Sequence, residues 1–537
     1  HFKIAMAEEK KAEVETGHNP DEPWNKWDLE MPSCQSQVNC PEYDSLNSRQ
    51  VLRTVLTAVR TKVFEMAAKQ LKHVEHGAIL LAGGKSSTFN FYDNDTLISN
   101  FRQEPFFRYL FGVNEPDLAG ILDLAKREII LFIDPPPLSA ERWMGKRKTF
   151  SWYEKEYALT HAAPIQHLDT VLKQRNIQYL YLLHGQNSDS DLYTATTATF
   201  DNMKEYTLDY HSLHALLSEA RVIKTKAEID LLRNACLLTC KAHVYVMRHI
   251  KPKMTERQLE ALFKGYTYYY GGARHQAYEC ICGSGHHGSI LHYGHAAYPN
   301  DKVLNDGETV VLDMGSEYLG YATDITCSYP VNGVFTEKQR MVHQAVVDAN
   351  RSVCSAMKPG VLWTDMHRLA ERVILKHLYR NMKILKYPLV QSQKAEEETV
   401  LDYFMSLNVA ALFMPHGLGH FLGMTVHDVG GFNEEYSRSK ELGLCWLRTT
   451  RKLQEGMVIT VEPGLYFNDS WIKQMMQKYP KVESCINGEV IKEYYGAGGC
   501  RIEDDVLVTK DGIENFTIVP RSCKQIEAVM KASQACK

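Results

Sequence analysis

Two textures of apolar and polar positions divide the chain. Up to about His211, short apolar runs bounded by Gly, Pro and polar residues are set between helical periodicities. His76–Gly84 ("HGAILLAGG"), Arg127–Pro136 and Ile177–Gly185 read as buried strands, and Arg49–Leu71 as a helix. This is the pattern of an α/β domain. From about Leu213 the runs lengthen, and Lys224–Ile250 carries a long helical pattern. A second helix opens on a capping box, Thr336 with Gln339, and is expected to stop at Pro359–Gly360. A third is expected over Thr364–Leu378, with Thr364 as its N-cap. Strand-like stretches lie between and after these helices, so the second half reads as α+β with antiparallel strands.

Residues 1–45 are rich in Glu, Lys, Asp, Asn and Pro and are expected to form a flexible extension. No charged-then-apolar leader pattern opens the chain. The expected organisation is therefore an extension at 1–45, a smaller α/β domain at 46–212 and a larger α+β domain at 213–537. A length of 537 residues fits two cores better than one.

Composition narrows function mainly by exclusion. Hydrophobic content of 44% and charged content of 23% are ordinary for a globular protein. A formal net charge of −4 suggests no nucleic-acid partner, and no run is long enough to suggest a membrane span. The 13 cysteines show no Cys-x-x-Cys or zinc-ribbon spacing, so reduced thiols in a cytoplasmic protein are expected.

The chemistry lies in the second half. Two β-rich runs flank Gly315–Gly320, which reads as a hairpin turn. If Asp313 opposes Asp324, the turn centres between Tyr318 and Leu319 and the two carboxylates share a face. Two such acids among Val, Leu and Ile repel unless a cation joins them. Glu462 sits in "VITVEPGLYF", again an acid inside an apolar strand. In "GGCRIEDDVLVT", alternation puts Arg501, Glu503 and Asp505 on one face, where a salt bridge from Arg501 to a neighbouring acid is the plain structural account. Asp313, Asp324, Glu462 and Glu503 would together balance two divalent cations, leaving room for one neutral imidazole. "FMPHGLGHFLGMTVHDVGG" offers His416, His420 and His427. An oxygen-rich donor set with one His favours a hard ion such as Mn²⁺. "GSGHHG", Gly283–Gly288, fits G-x-G-x-x-G, but strand and loop are expected after it rather than a helix, so no nucleotide site is expected.

In this order, Asp-x10-Asp, "PHGLGHFLG…VHD", "TVEPGLYF" and "GGCRIEDDV" together resemble the pita-bread dinuclear metallopeptidases, the family of methionine aminopeptidase, aminopeptidase P and prolidase. "CICGSGHHGSILHYGHAAYPND" and "LRTTRKLQEGMVITVEPGLYF" are most similar to the prolidase, or Xaa-Pro dipeptidase, branch. The resemblance implies a C-terminal pita-bread (creatinase/aminopeptidase-like) catalytic domain behind a smaller domain like the N-terminal domain of aminopeptidase P. It implies hydrolysis of dipeptides ending in proline at two divalent ions per subunit, most simply Mn²⁺, with a bridging hydroxide.

The metal ligands it implies are Asp313, Asp324, His420, Glu462 and Glu503. Glu462 would also shuttle the proton, His427 would assist at the carbonyl oxygen, and Arg448 with His292 would grip the proline carboxylate. Tyr278, Thr326 and Arg501 match positions near the metals. His416 would line the pocket or support it by hydrogen bonding. Trp143 matches a loop residue that reaches the partner's site in prolidase homodimers. Glycines 417, 419 and 423 would let the backbone pass close to the ions. His286 and His287 depart from the family pattern, as does the charged stretch "KYPLVQSQKAEEETVLDYF". Two alternatives stay open: an aminopeptidase P-like enzyme acting on longer peptides, and a metal-free binding module on the same fold.

Overall fold

The computed structural model describes residues 45–86, 100–194, 198–294, 299–388 and 396–535. Apart from Ser45, which opens the first helix, the expected extension at 1–45 lies outside the described residues.

The first half is built on six strands: β1 (Gly77–Ala82), β2 (Ala119–Asp123), β3 (Glu128–Ile133), β4 (His161–Pro164), β5 (Tyr179–Leu182) and β6 (Thr207–Asp209). They form one mixed sheet in the order β4-β3-β2-β1-β5-β6. β1 shows why its sequence is apolar throughout. Ile79 and Leu81 pack into the core that includes Val55, Val59 and Val63 of helix Ser45–Gln70, while Ala78 and Leu80 pack on the other face with Leu168, Leu172 and Ile177. A strand covered on both faces loses the polar half of its alternation. The first of these cores continues through helix Ser212–Val222 into helix Lys226–His249. The two halves therefore share packed apolar contacts.

The second half carries short sheets under long helices. β7 (His275–Gln276), β10 (Ser316–Tyr318) and β11 (Tyr321–Ala322) form one; β8 (Ile281–Ser284), β9 (Thr309–Asp313) and β12 (Thr326–Pro330) form a second. β13 (Val458–Val461) pairs with β16 (Asp504–Val508), which also pairs with β17 (Ile513–Asn515), and β14 (Gly464–Tyr466) pairs with β15 (Gly499–Arg501). Helices Glu337–Ala356 and Trp363–Arg380 cover β13 and its neighbours in a separate core.

Several local expectations are corrected. The capping box at Thr336 and Gln339 is present, but its helix ends at Ala356, ahead of Pro359. Thr364 is not an N-cap. Leu362 bridges Lys452 and Trp363 N donates to Arg451 O, so extended pairing runs up to the helix, which starts at Trp363. Gly315–Gly320 is not all turn, since β10 lies inside it. The turn is the pair Leu319 and Gly320, with φ of 50° and 92°, closed by Tyr318 opposite Tyr321. Positive φ at both positions gives the twist that antiparallel strands require.

The register follows from that turn. Asp313 faces Thr326, not Asp324. Asp324 lies two residues earlier, and a shift of two keeps both acids on one face of the ladder. At Gly315 a Cβ would stand 1.8 Å from Thr323 O, which is why glycine occupies this crossing.

Candidate active site

Interrupted ladders and the edge of one strand position the five expected metal ligands. Asp313 ends β9, and Asp324 precedes β12. Tyr278 ties them together, its hydroxyl standing 2.5 Å from Asp313 Oδ1 and 2.5 Å from Asp324 Oδ1. Across the site, β13 pairs Val461 with Asp504 and β14 pairs Gly464 with Arg501. The two registers are continuous, so Glu462 stands opposite Glu503 in the gap between them. There the backbone leaves the ladder and both side chains reach the same cavity. Thr460 N donates to His420 O and Glu462 N to Leu418 O, so residues 418–422 run along the open edge of β13. A Cβ at Gly419 would lie 2.0 Å from Thr460 O, and one at Gly423 would lie 2.2 Å from Asp428 Oδ2. The close approach attributed to these glycines is thus to the protein's own backbone and side chains.

His420 is held in one orientation. Its Nδ1 lies 3.0 Å from Phe421 O and donates to that carbonyl, which leaves Nε2 as the lone-pair nitrogen. Nε2 faces Asp324 Oδ2 at 3.2 Å and Glu462 Oε1 at 3.5 Å. One ligand atom each from Asp324, His420 and Glu503 fits within 4.8 Å, the spacing of a shared ion. Thr326 donates to Glu503 Oε2 at 2.6 Å, fixing that carboxylate from behind.

The electrostatics of the site are unbalanced. Arg501 is its buried cation; it donates to Asp313 Oδ2 at 2.5 Å and to the Tyr466 hydroxyl at 2.8 Å. Of the four carboxylates, Asp313 is the one in ion-pair contact with a guanidinium among the described residues, since the cavity's other two arginines, Arg438 and Arg448, are taken up by Asp189. Burial, reinforced by Asp313 and Glu462, pushes the Asp324 carboxyl well above the usual range. Burial with Asp324 and Glu462 does the same to Glu503. Burial also raises Glu462, against the opposing pull of His420 and Arg501. A donor set of carboxylates and one imidazole, crowded and short of positive charge, fits divalent cations.

These groups line a cavity of about 330 Å³. His292, His416, His427, Arg448 and Arg501 line it as well. The His427 ring stands 4.4 Å from that of His420 on the open side of the cavity, and desolvation by the surrounding protein with His420 and His292 lowers its pKa. It is a neutral N–H donor at physiological pH. His416 spends both ring nitrogens on the protein, 2.7 Å from Gly417 O and 3.1 Å from the Tyr466 hydroxyl, and burial lowers its pKa to about 3. It therefore lines the pocket and is also held from behind. Trp143 is not brought to this cavity. It is 77% exposed and stacked by Arg142.

Sequence reading missed three residues here. Asp189, from the first half of the chain, lines the cavity and pairs with Arg448. Arg438 lines it and holds the other oxygen of Asp189 at 2.6 Å. Asp428, next to His427, is buried against Arg221 and Lys224. Each depends on a partner far away in sequence, and no local pattern marks it.

The profile of metallopeptidase family M24 matches residues 230–510, and that of the aminopeptidase P N-terminal domain matches residues 60–180. Over 457 residues the chain is 42% identical to the Xaa-Pro dipeptidase of Homo sapiens, covering 85% of this chain and 89% of that protein. It is 34% identical over 445 residues to a protein of Botryotinia fuckeliana named a probable Xaa-Pro aminopeptidase, covering 82% of this chain and 90% of the relative. The solved structure of E. coli aminopeptidase P with the inhibitor Pro-Leu aligns with a TM-score of 0.68 and 27% identity, over 90% of this chain and 99% of that one. The pita-bread architecture expected for the second half is the one present.

Proposed function

The chain belongs to metallopeptidase family M24, and from that premise we propose that it is a metal-dependent Xaa-Pro dipeptidase, hydrolysing dipeptides that end in proline. One observation carries the reading. A cavity with four carboxylates and one oriented imidazole at its base has a guanidinium, Arg448, on its wall. A free amino acid carboxylate is what that guanidinium would take.

Asp313, Asp324, His420, Glu462 and Glu503 would hold two divalent ions. The oxygen-rich donor set favours Mn²⁺. Such ions, when bound, would supply an activated water and polarise the peptide carbonyl. The protein's own groups do the rest. Glu462, whose carboxyl is raised by burial, would take the proton released by the attacking water and pass it to the proline nitrogen as the C–N bond breaks. Neutral His427 donates to the charge developing on the scissile oxygen. Arg448 and His292 hold the proline carboxylate, which fixes the bond to be cut. Tyr278, Thr326 and Arg501 orient the acids.

We further infer a division into domains at 46–212 and 213–537, with the matched profiles lying inside those limits. We place the protein in the cytoplasm as a homodimer. The ten described cysteines are all unpaired, which supports a reducing compartment, and Trp143 is exposed enough to reach a partner subunit. No described helix is long and apolar enough to cross a membrane.

The test is Gly-Pro hydrolysis by chelated enzyme after addition of Mn²⁺, Co²⁺ or Zn²⁺. Activity is expected to vanish on chelation and to return most fully with Mn²⁺. Gly-Pro hydrolysis untouched by chelation would sink the reading. The structural likeness to aminopeptidase P favours a second reading, cleavage of longer Xaa-Pro peptides. Faster turnover of Gly-Pro-Pro than of Gly-Pro would support that one instead.

A further inference from the structure

The clamp for the substrate carboxylate is already engaged by the protein itself. Asp189 sits on a loop that the second half does not supply. Gln186 bridges Tyr193 across it, and the Asn187 side chain accepts from Asp189 N at 2.8 Å and from Ser190 N at 3.1 Å. These bonds fix the tip of the loop, as an Asx turn does. The Asp189 carboxylate then divides between two arginines. One oxygen accepts from Arg448 Nη1, and the other accepts from Arg438 Nη2 at 2.6 Å. Arg438 also donates to Ser188 O at 3.2 Å and to Leu447 O at 2.9 Å, and its guanidinium lies over the Phe432 ring at 4.7 Å. It locks the loop against the segment that carries Arg448.

Charge and shape both follow from this arrangement. Two guanidiniums share one internal carboxylate, so the array keeps one positive charge, enough for one substrate carboxylate. A dipeptide delivers that carboxylate directly after proline. A longer peptide delivers a neutral carbonyl there and carries its own carboxylate on towards Asp189, a like charge. Specificity arises as much from such repulsion as from attraction.

We propose that Asp189, supplied by the first half of the chain, is a specificity-determining residue that limits the enzyme to dipeptides by closing the cavity beyond Arg448 with negative charge. The proposal rests on the dipeptidase reading above. Arg438 is its positioning residue.

The test compares kcat/KM for Gly-Pro and Gly-Pro-Pro in the metal-loaded full chain. Wild-type enzyme is expected to prefer Gly-Pro by about 100-fold, and Asp189→Ala to lower that ratio about tenfold or more through a gain on the tripeptide. Asp189→Asn keeps the volume and removes the charge. It is expected to reduce KM for Gly-Pro several-fold with kcat changing less, and to raise kcat/KM for Gly-Pro-Pro by more than that, so that the ratio falls, though less than in Asp189→Ala. A ratio within about twofold of wild type in Asp189→Ala, or equal losses on both substrates, overturns the proposal. If that variant does not fold, an unchanged ratio in Asp189→Asn overturns it. A wild-type enzyme that leaves Gly-Pro uncut defeats the dipeptidase reading instead, and no Asp189 variant is needed to see it.

Discussion

Two sets of buried acids lie close together in this molecule, and they meet the cost of burial in opposite ways. Asp428, beside His427, stands 2.6 Å from Arg221 and 3.3 Å from Lys224 and accepts from Thr425 at 3.1 Å. Burial alone would raise its carboxyl, but Arg221 and Lys224 reverse that and hold it below the usual range. Asp324 and Glu503 are buried too and Glu462 is largely so, yet their carboxyls are pushed up. The number of cations the fold supplies makes the difference. Asp428 is in contact with two positive side chains; of the four cavity acids only Asp313 contacts an arginine among the described ion pairs, while Arg438 and Arg448 are taken up by Asp189. The first cluster is complete as folded. The second is a charge deficit held by hydrogen bonds from Tyr278, Thr326 and Arg501, an arrangement that divalent cations would balance.

The largest expected effect comes from changing that deficit directly. Asp313→Asn removes one acid and breaks the Arg501 pair, so Arg501 is left to the remaining carboxylates. Metal content measured on purified protein should drop, and kcat/KM for Gly-Pro should fall on the order of 10³-fold or more. Full metal loading with full activity in this variant would mean the acids are only structural. The matching change in the other cluster is Asp428→Ala. It removes the acid that Arg221 and Lys224 share and should destabilise the fold by about 3–5 kcal/mol, read as a lower urea midpoint. Metal content per folded molecule should hold. If Asp428→Ala lost metal before it lost stability, the two clusters would not be separate.

How much of this was visible in the sequence depends on how local each feature is. β1 was legible because both its faces are buried and its run is apolar throughout. The Thr336 cap was legible because its partner is three residues on. The face shared by Asp313 and Asp324 was legible although their register was not. The turn needs positive φ at Leu319, and leucine gives no sign of that. Selection of His420 among three histidines came from family resemblance; in the structure its Nε2 faces Asp324 and Glu462, whereas that of His416 is taken by the Tyr466 hydroxyl. The partners of Asp428 and Asp189 lie 207 and 259 residues away. Pairings over such distances leave no periodic trace, so one cluster and one specificity contact emerged only from the fold.

The smallest expected effect is the most discriminating, because it asks whether the deficit is felt by the whole protein. A carboxyl whose folded pKa lies above its unfolded value binds its proton more tightly in the native state. Its contribution favours folding at low pH and is lost as pH rises from the unfolded value, about 4, through the folded one. Asp324, Glu462 and Glu503 all have this sign, and Asp505, which accepts from Asp324 N at 3.2 Å, is pushed by burial to about 8. Asp428 has the opposite sign and is already ionised across this range. Metal-stripped protein should therefore lose a few degrees of apparent Tm between about pH 5 and pH 8. Added Mn²⁺ should restore more stability at the higher pH, where it displaces fewer protons. In Asp428→Asn the slope with pH should persist, since the titrating acids lie elsewhere. A metal-stripped protein whose stability rises over this interval would show that the four acids already have counter-charges, and the contrast between the two clusters would fail.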